Sequence, residues 1–104
     1  MEIFKELTTK GYKHYYEGTV EELDSMDKNN QHLHSEIMQV IMWLYEKHGI
    51  WIVVQLDLVG RWYYDTYTIK DGLPNHNTYK KVERFTSPTE AYEAAIKYCL
   101  TNLI

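Results

Sequence analysis

The stretch Ile37-Met38-Gln39-Val40-Ile41-Met42-Trp43-Leu44-Tyr45-Glu46-Lys47-His48-Gly49-Ile50-Trp51-Ile52-Val53-Val54-Gln55-Leu56-Asp57-Leu58 changes its hydrophobic period at Gly49, and that change decides the fold. Before the glycine, Ile37, Val40, Ile41, Leu44 and His48 recur at the spacing of one helix face, with Met38, Met42 and Tyr45 in a second stripe beside it. Ser35 reads as the cap, Glu36 as a first-turn acid, Lys47 and His48 as last-turn cations, and Gly49 as a left-handed terminator. A helix is expected from Ser35 to His48. Its apolar arc is wider than the ~100° that contact with one sheet face uses, so a second contact surface is expected. Trp43 projects away from the centre of that arc and belongs at a boundary or at the surface. After Gly49 the period is 2: Ile50, Ile52, Val54, Leu56 and Leu58 face a core, and Trp51, Val53, Gln55, Asp57 and Val59 face away.

Outward from this stretch, Gly60 opens a tight connection, and Trp62 to Ile69, rich in aromatic and β-branched residues, reads as an antiparallel partner strand. Asp71-Gly72-Leu73-Pro74-Asn75 carries turn chemistry, and Thr78 to Phe85 is expected to return as a third strand. Ser87-Pro88-Thr89-Glu90 starts a helix running to about Asn102, with Tyr92, Ala95, Ile96, Cys99 and Leu103 turned inward. The expected fold is α+β: a three-stranded antiparallel sheet with two helices packed on one face, in the order α-β-β-β-α, over residues 31–104. Residues 1–30 form an N-terminal extension packing on that domain. Within it only Thr19 and Glu22, a capping box, predict a helical turn or two through Met26. No firm structure is assigned around Ile3, Phe4, Leu7, Tyr12, Tyr15 and Tyr16. Glu17 to Asp27, acidic without a basic residue, reads as a solvated edge.

A length of 104 residues suits one domain, and 44% hydrophobic with 14% aromatic content excludes disorder. A net charge of −4 argues against a phosphate-binding surface spread over the fold. One cysteine cannot form an internal disulfide, and Met1-Glu2-Ile3-Phe4-Lys5 lacks the basic-then-apolar run of an export signal. No segment approaches the ~18 apolar residues of a membrane span. A soluble, cytoplasmic protein without membrane contact is expected.

Trp43-Leu44-Tyr45-Glu46-Lys47-His48-Gly49-Ile50, read together with Phe85-Thr86-Ser87-Pro88-Thr89-Glu90-Ala91-Tyr92-Glu93-Ala94-Ala95-Ile96, resembles a group of small uncharacterised proteins from phages and mobile elements of gut bacteria. Their pattern is roughly W-L-R-E-x-H-x-I, a hairpin with a central aromatic, then F-x-S-x-E-E-A-x-E-A. Tyr45 stands where many of them have Arg, and Pro88 and Thr89 replace Tyr-Glu. The resemblance covers about residues 31–104; it implies fold and provenance and carries no site with it.

Catalytic and metal chemistry finds little footing. His32 and His34 are two apart without a Cys pair or a His-x-x-x-His beside them, so no metal site is expected. Cys99 sits on a buried stripe, Ser35 and Ser87 are read as caps, and Asp57 with Asp65 reads as a solvent-facing pair. There is no glycine-rich phosphate loop, and the expectation is a non-catalytic protein without a cofactor. The aromatic content is more informative. Trp51 and Val53 look outward, joined by either Trp62 and Tyr64 or Tyr63 and Tyr67. Such a face stacks bases, receives a partner or pairs with itself, unless the N-terminal segment folds over it, which is the favoured alternative. Trp51, Trp62, Trp43 and Met42 are the candidate contact residues for an unknown protein partner or a second copy. Nucleic acid is the rival partner, because α-β-β-β-α is also the element order of the double-stranded RNA-binding domain; Lys80, Lys81 and Arg84 would then carry the phosphates.

Overall fold

A computed structural model describes residues 3–77 and 83–104. The chain forms helices α1 (Ile3–Thr9), α2 (Val20–Asp24), α3 (Gln31–His48) and α4 (Pro88–Asn102), and strands β1 (Ile50–Leu56), β2 (Trp62–Lys70) and β3 (Leu73–His76). The strands make an antiparallel sheet in the order β1-β2-β3. This is an α+β fold, with α3 and α4 covering one face of a three-stranded sheet.

Local signals set most element ends. Gly49 ends α3 at φ 64, the left-handed conformation its lack of a Cβ permits. Ser87 caps α4 by accepting from the Glu90 N–H, with Pro88 in the first turn. Thr19 and Glu22 form a capping box ahead of α2. The start of α3 corrects the expectation: Asn30, whose side chain accepts from the His32 N–H at 2.8 Å, is the cap, and Ser35 lies inside the helix. An Asn in extended conformation satisfies a first-turn amide as well as Ser does, and it sits five residues earlier.

The strands also depart from expectation. Asp71 and Gly72, at φ 54 and 76, make a two-residue turn joining Lys70 to Leu73. Positive φ at both positions gives the twist that suits a tight hairpin. Leu73, Pro74 and Asn75 are therefore strand rather than turn. Most of the expected strand over 78–85 lies outside the described residues; Phe85 at its end makes an isolated bridge with Trp62, exchanging bonds of 2.9 and 2.8 Å. Leu56 and Leu58 are not core residues: they are 55% and 106% exposed, because the helical cover reaches only Ile50 and Ile52 fully and Leu58 belongs to the β1–β2 loop.

The core joins Ile37, Val40, Ile41 and Leu44 of α3, Ile50 and Ile52 of β1, and Ala95, Ile96, Cys99 and Leu100 of α4. Ile3, Phe4, Leu7, Tyr12 and Leu23 of the N-terminal segment belong to the same cluster, so this segment completes the core. Asp24 ties α2 to α1 by accepting from the Phe4 N–H at 2.8 Å and the Lys5 N–H at 3.2 Å.

Thr66 of β2 is fully buried, opposite Ile52, and its Oγ1 has no hydrogen-bond partner among the described residues. A buried hydroxyl without a partner carries its desolvation cost uncompensated. The nearly isosteric Thr66→Val is expected to raise stability by about 1 kcal/mol. The thermal midpoint should then rise by roughly 4–8 °C. A lowered midpoint would mean that the hydroxyl is satisfied.

Candidate interaction surface

Pairing of Trp51 with Tyr67, Val53 with Asp65, Gln55 with Tyr63, and Tyr67 with His76 places these side chains together on the sheet face opposite α3 and α4. The rings and polar groups brace one another. Tyr67 and His76 have ring centroids 5.2 Å apart, and His76 Nε2 lies 2.7 Å from Asp65 Oδ1. The Tyr63 hydroxyl donates to Gln55 Oε1 at 2.5 Å. Trp51 is 38% exposed and meets the Tyr45 ring edge-on at 5.6 Å, at the corner where α3 turns into β1.

The N-terminal segment does not cover this face. It lies on the helical side, where Tyr12 packs edge-on against Trp43 at 5.4 Å and α1 contacts α4. Glu36, buried in α3, holds it there: Oε1 accepts the Tyr16 N–H at 2.7 Å, both oxygens accept the Tyr15 N–H at 3.0 Å, and Oε2 accepts the Tyr12 hydroxyl. Burial first, and then the bond to Glu36, push the Tyr12 hydroxyl well above its ordinary range, so it remains a donor. The expectation that residues 1–30 fold over the aromatic sheet face is overturned. Tyr12, Tyr15 and Tyr16 of this segment find their partners on α3 instead, while Asp24 and Glu22 bond within the segment.

The structure separates the candidate contact residues. Trp51 belongs to the open sheet face. Trp62 pairs with Leu56 and so points to the helix-side face, correcting its proposed place beside Trp51. Trp43 is half-buried between Tyr12 and His48, at the boundary its helical position predicts. Met42 is 45% exposed and lines, with Trp43, Tyr12 and Glu46, an open groove of about 370 Å³. With Met38 and Tyr45, at 44% and 46% exposure, Met42 forms the outer flank of α3. Tyr63 and Tyr67 are the outward pair of the two alternatives the sequence left open. Asp65 and His76 were not singled out as a pair, because nothing local brings residues eleven apart together.

Of the alternative phosphate-binding set, Lys80 and Lys81 lie outside the described residues. Arg84 donates from Nε to Asp57 Oδ2 at 2.7 Å and stacks its guanidinium 4.7 Å above the Tyr63 ring centroid. Backbone bonds from Arg61 and Val59, together with Arg84, hold the Asp57 carboxyl below the usual range, the Arg61 amide contributing most. At the start of α4, Glu90 is paired with Lys28 at 3.1 Å, and that bond holds its carboxyl below the ordinary range. Cys99 is fully buried, and burial pushes its thiol up to about 12. His34 Nε2 lies 2.5 Å from the Lys28 carbonyl, and His32 tilts against Tyr16. No group of metal-ligating side chains gathers among the described residues, and no helix there is long and apolar enough to cross a membrane.

Comparison with family models, with curated proteins and with solved structures gives no match.

Proposed function

We propose that this chain is a non-catalytic accessory protein of a phage or mobile element. It acts in the cytoplasm by docking a protein partner on the open aromatic face of its sheet. The observation that carries the reading is the placement of Trp51, Tyr63 and Tyr67 on a face that neither the helices nor the N-terminal segment covers. Aromatic residues around a polar pair have the composition of a protein interface, since Trp and Tyr bring large contact area at small entropic cost. Asp65 and His76 supply polar groups at the centre of the patch. Engagement of Arg84 by Asp57 and Tyr63 favours a protein partner over nucleic acid.

Photocrosslinking from two positions in host cells tests this. A photoreactive phenylalanine analogue at position 67 is expected to capture a discrete protein adduct that Trp51→Ala reduces at least tenfold, about the effect of losing one interface anchor. The same analogue in place of Lys97, exposed on α4, should capture none of it. Identical adducts from both positions, or an adduct indifferent to Trp51→Ala, would overturn the reading.

A further inference from the structure

We infer that the partner segment taken by the open sheet face is proline-rich and lies across the strands as a polyproline II helix, centred on Trp51 and Tyr67. This rests on the docking reading above and names the chemistry of the partner.

The charges on this face are paired within it. His76 Nε2 lies 2.7 Å from Asp65 Oδ1, and Arg84 Nε lies 2.7 Å from Asp57 Oδ2. Arg84 also sits 4.7 Å above the Tyr63 ring and occupies one side of it, so Trp51 and Tyr67 are the rings left for a partner. An uncharged segment matches a patch whose ions already face one another.

Hydrogen bonding points the same way. The acceptors of the patch are engaged: Gln55 Oε1 receives the Tyr63 hydroxyl at 2.5 Å, and Asp65 Oδ1 holds His76. Donors remain. Among the described residues, no bond runs from the Trp51 indole N–H, the Tyr67 hydroxyl or the Gln55 side-chain amide. A complementary segment brings free carbonyls and few N–H groups. Proline has no N–H, and a polyproline II backbone makes no internal hydrogen bonds, so its carbonyls all await donors. An added strand carries an N–H at nearly every residue and needs a sheet edge rather than a face. A helix uses its carbonyls within itself.

Spacing gives the orientation. Trp51 pairs with Tyr67 and Tyr67 with His76, which sets the three rings in one row across β1, β2 and β3. With strands ~4.8 Å apart, that row spans about 10 Å. One turn of polyproline II, three residues at ~3.1 Å each, covers about 9 Å. Prolines one turn apart therefore straddle Tyr67, one toward Trp51 and the other toward His76. Their rings pack on the aromatic surface, and their pre-set backbone loses little entropy on docking.

Titration of the isotopically labelled chain with a capped, uncharged oligoproline of about ten residues tests this. It is expected to move the Trp51 indole N–H and Tyr67 amide resonances with a Kd of about 0.1–1 mM. A flexible glycine–serine peptide of the same length should move neither. Tyr67→Phe keeps the ring and removes only the donor, and should weaken binding about fivefold. Trp51→Ala should weaken it at least tenfold, with circular dichroism checking that both variants fold; Tyr67→Phe carries the test by itself if Trp51→Ala does not. Oligoproline at about 2 mM should also suppress the photocrosslinked adduct from position 67 in host lysate. Absent shifts, equal shifts from the glycine–serine peptide, or undiminished affinity of Tyr67→Phe would each overturn the inference. An adduct that oligoproline leaves intact would overturn it as well, while the docking reading would still stand on the comparison of positions 67 and 97.

Discussion

Truncating Glu36 to alanine is expected to destabilise the protein by about 3 kcal/mol, since it strips a common acceptor from one buried and two part-buried donors. Glu36 is 2% exposed, and its carboxyl group receives the Tyr15 and Tyr16 amides and the Tyr12 hydroxyl. The Tyr12 hydroxyl, buried, retains most of its desolvation cost when the acceptor goes, and the part-buried Tyr15 and Tyr16 amides retain a smaller part. A loss of that size lowers the thermal midpoint by roughly 12–24 °C in a domain of this length. Glu36→Gln retains one acceptor oxygen and should lose about half as much. Tyr12→Phe removes one donor along with its need for a partner, and should cost only about 1 kcal/mol. Chemical denaturation of the three variants checks the order; a cost below about 1 kcal/mol for Glu36→Ala would show that the N-terminal segment is held by its apolar contacts alone.

Phe4→Ala is the second large effect, expected at about 3–5 kcal/mol. Phe4 is 1% exposed in the shared core with Ile3, Leu7 and Leu23, and the helices around it are tied by Asp24, so the site has little freedom to collapse into the void. Against a total stability of about 5–15 kcal/mol, such a loss is a large part of the whole. Residues 1–30 would behave as a removable extension only if this substitution were tolerated. A midpoint shifted by under 4 °C, less than about 1 kcal/mol, would show that residues 31–104 hold together without this contact.

Glu36 also shows where sequence reading fails. Placing the helix start at Ser35 made Glu36 a first-turn acid serving the helix dipole. With Asn30 as the cap, Glu36 moves into the second turn and onto the side that meets Tyr12, Tyr15 and Tyr16. A helix start five residues earlier than expected thus exposes the anchor of the N-terminal segment. Nothing in the spacing of these residues announces a contact between positions 20 to 24 apart.

The outward pair on β2 was ambiguous for a different reason. A three-residue loop, Leu58 to Gly60, closes the β1–β2 hairpin, with Asp57 pairing to Arg61. An odd-length loop sets odd against odd, which brings Tyr63 and Tyr67 beside Trp51; one residue more or fewer would have brought Trp62 and Tyr64. Asp57 fixes that length by accepting the Val59 and Arg61 amides with its side chain, at 3.0 and 2.9 Å. The signal was present in Asp57 and Gly60, but several loop lengths accommodate the same residues.

Local physics therefore determined, from the sequence by itself, the α3–Gly49–β1 switch, the Ser87-Pro88 start of α4, the Thr19–Glu22 capping box and the burial of Cys99. Each depends on hydrogen bonds or periodicity spanning only a few residues, and such terms are encoded wherever the residues are adjacent. Only the tertiary structure decided which side of the domain the N-terminal segment packs on and which tyrosines join Trp51. These choices rest on contacts between residues far apart in the chain, whose free energy exists only once the whole core has assembled.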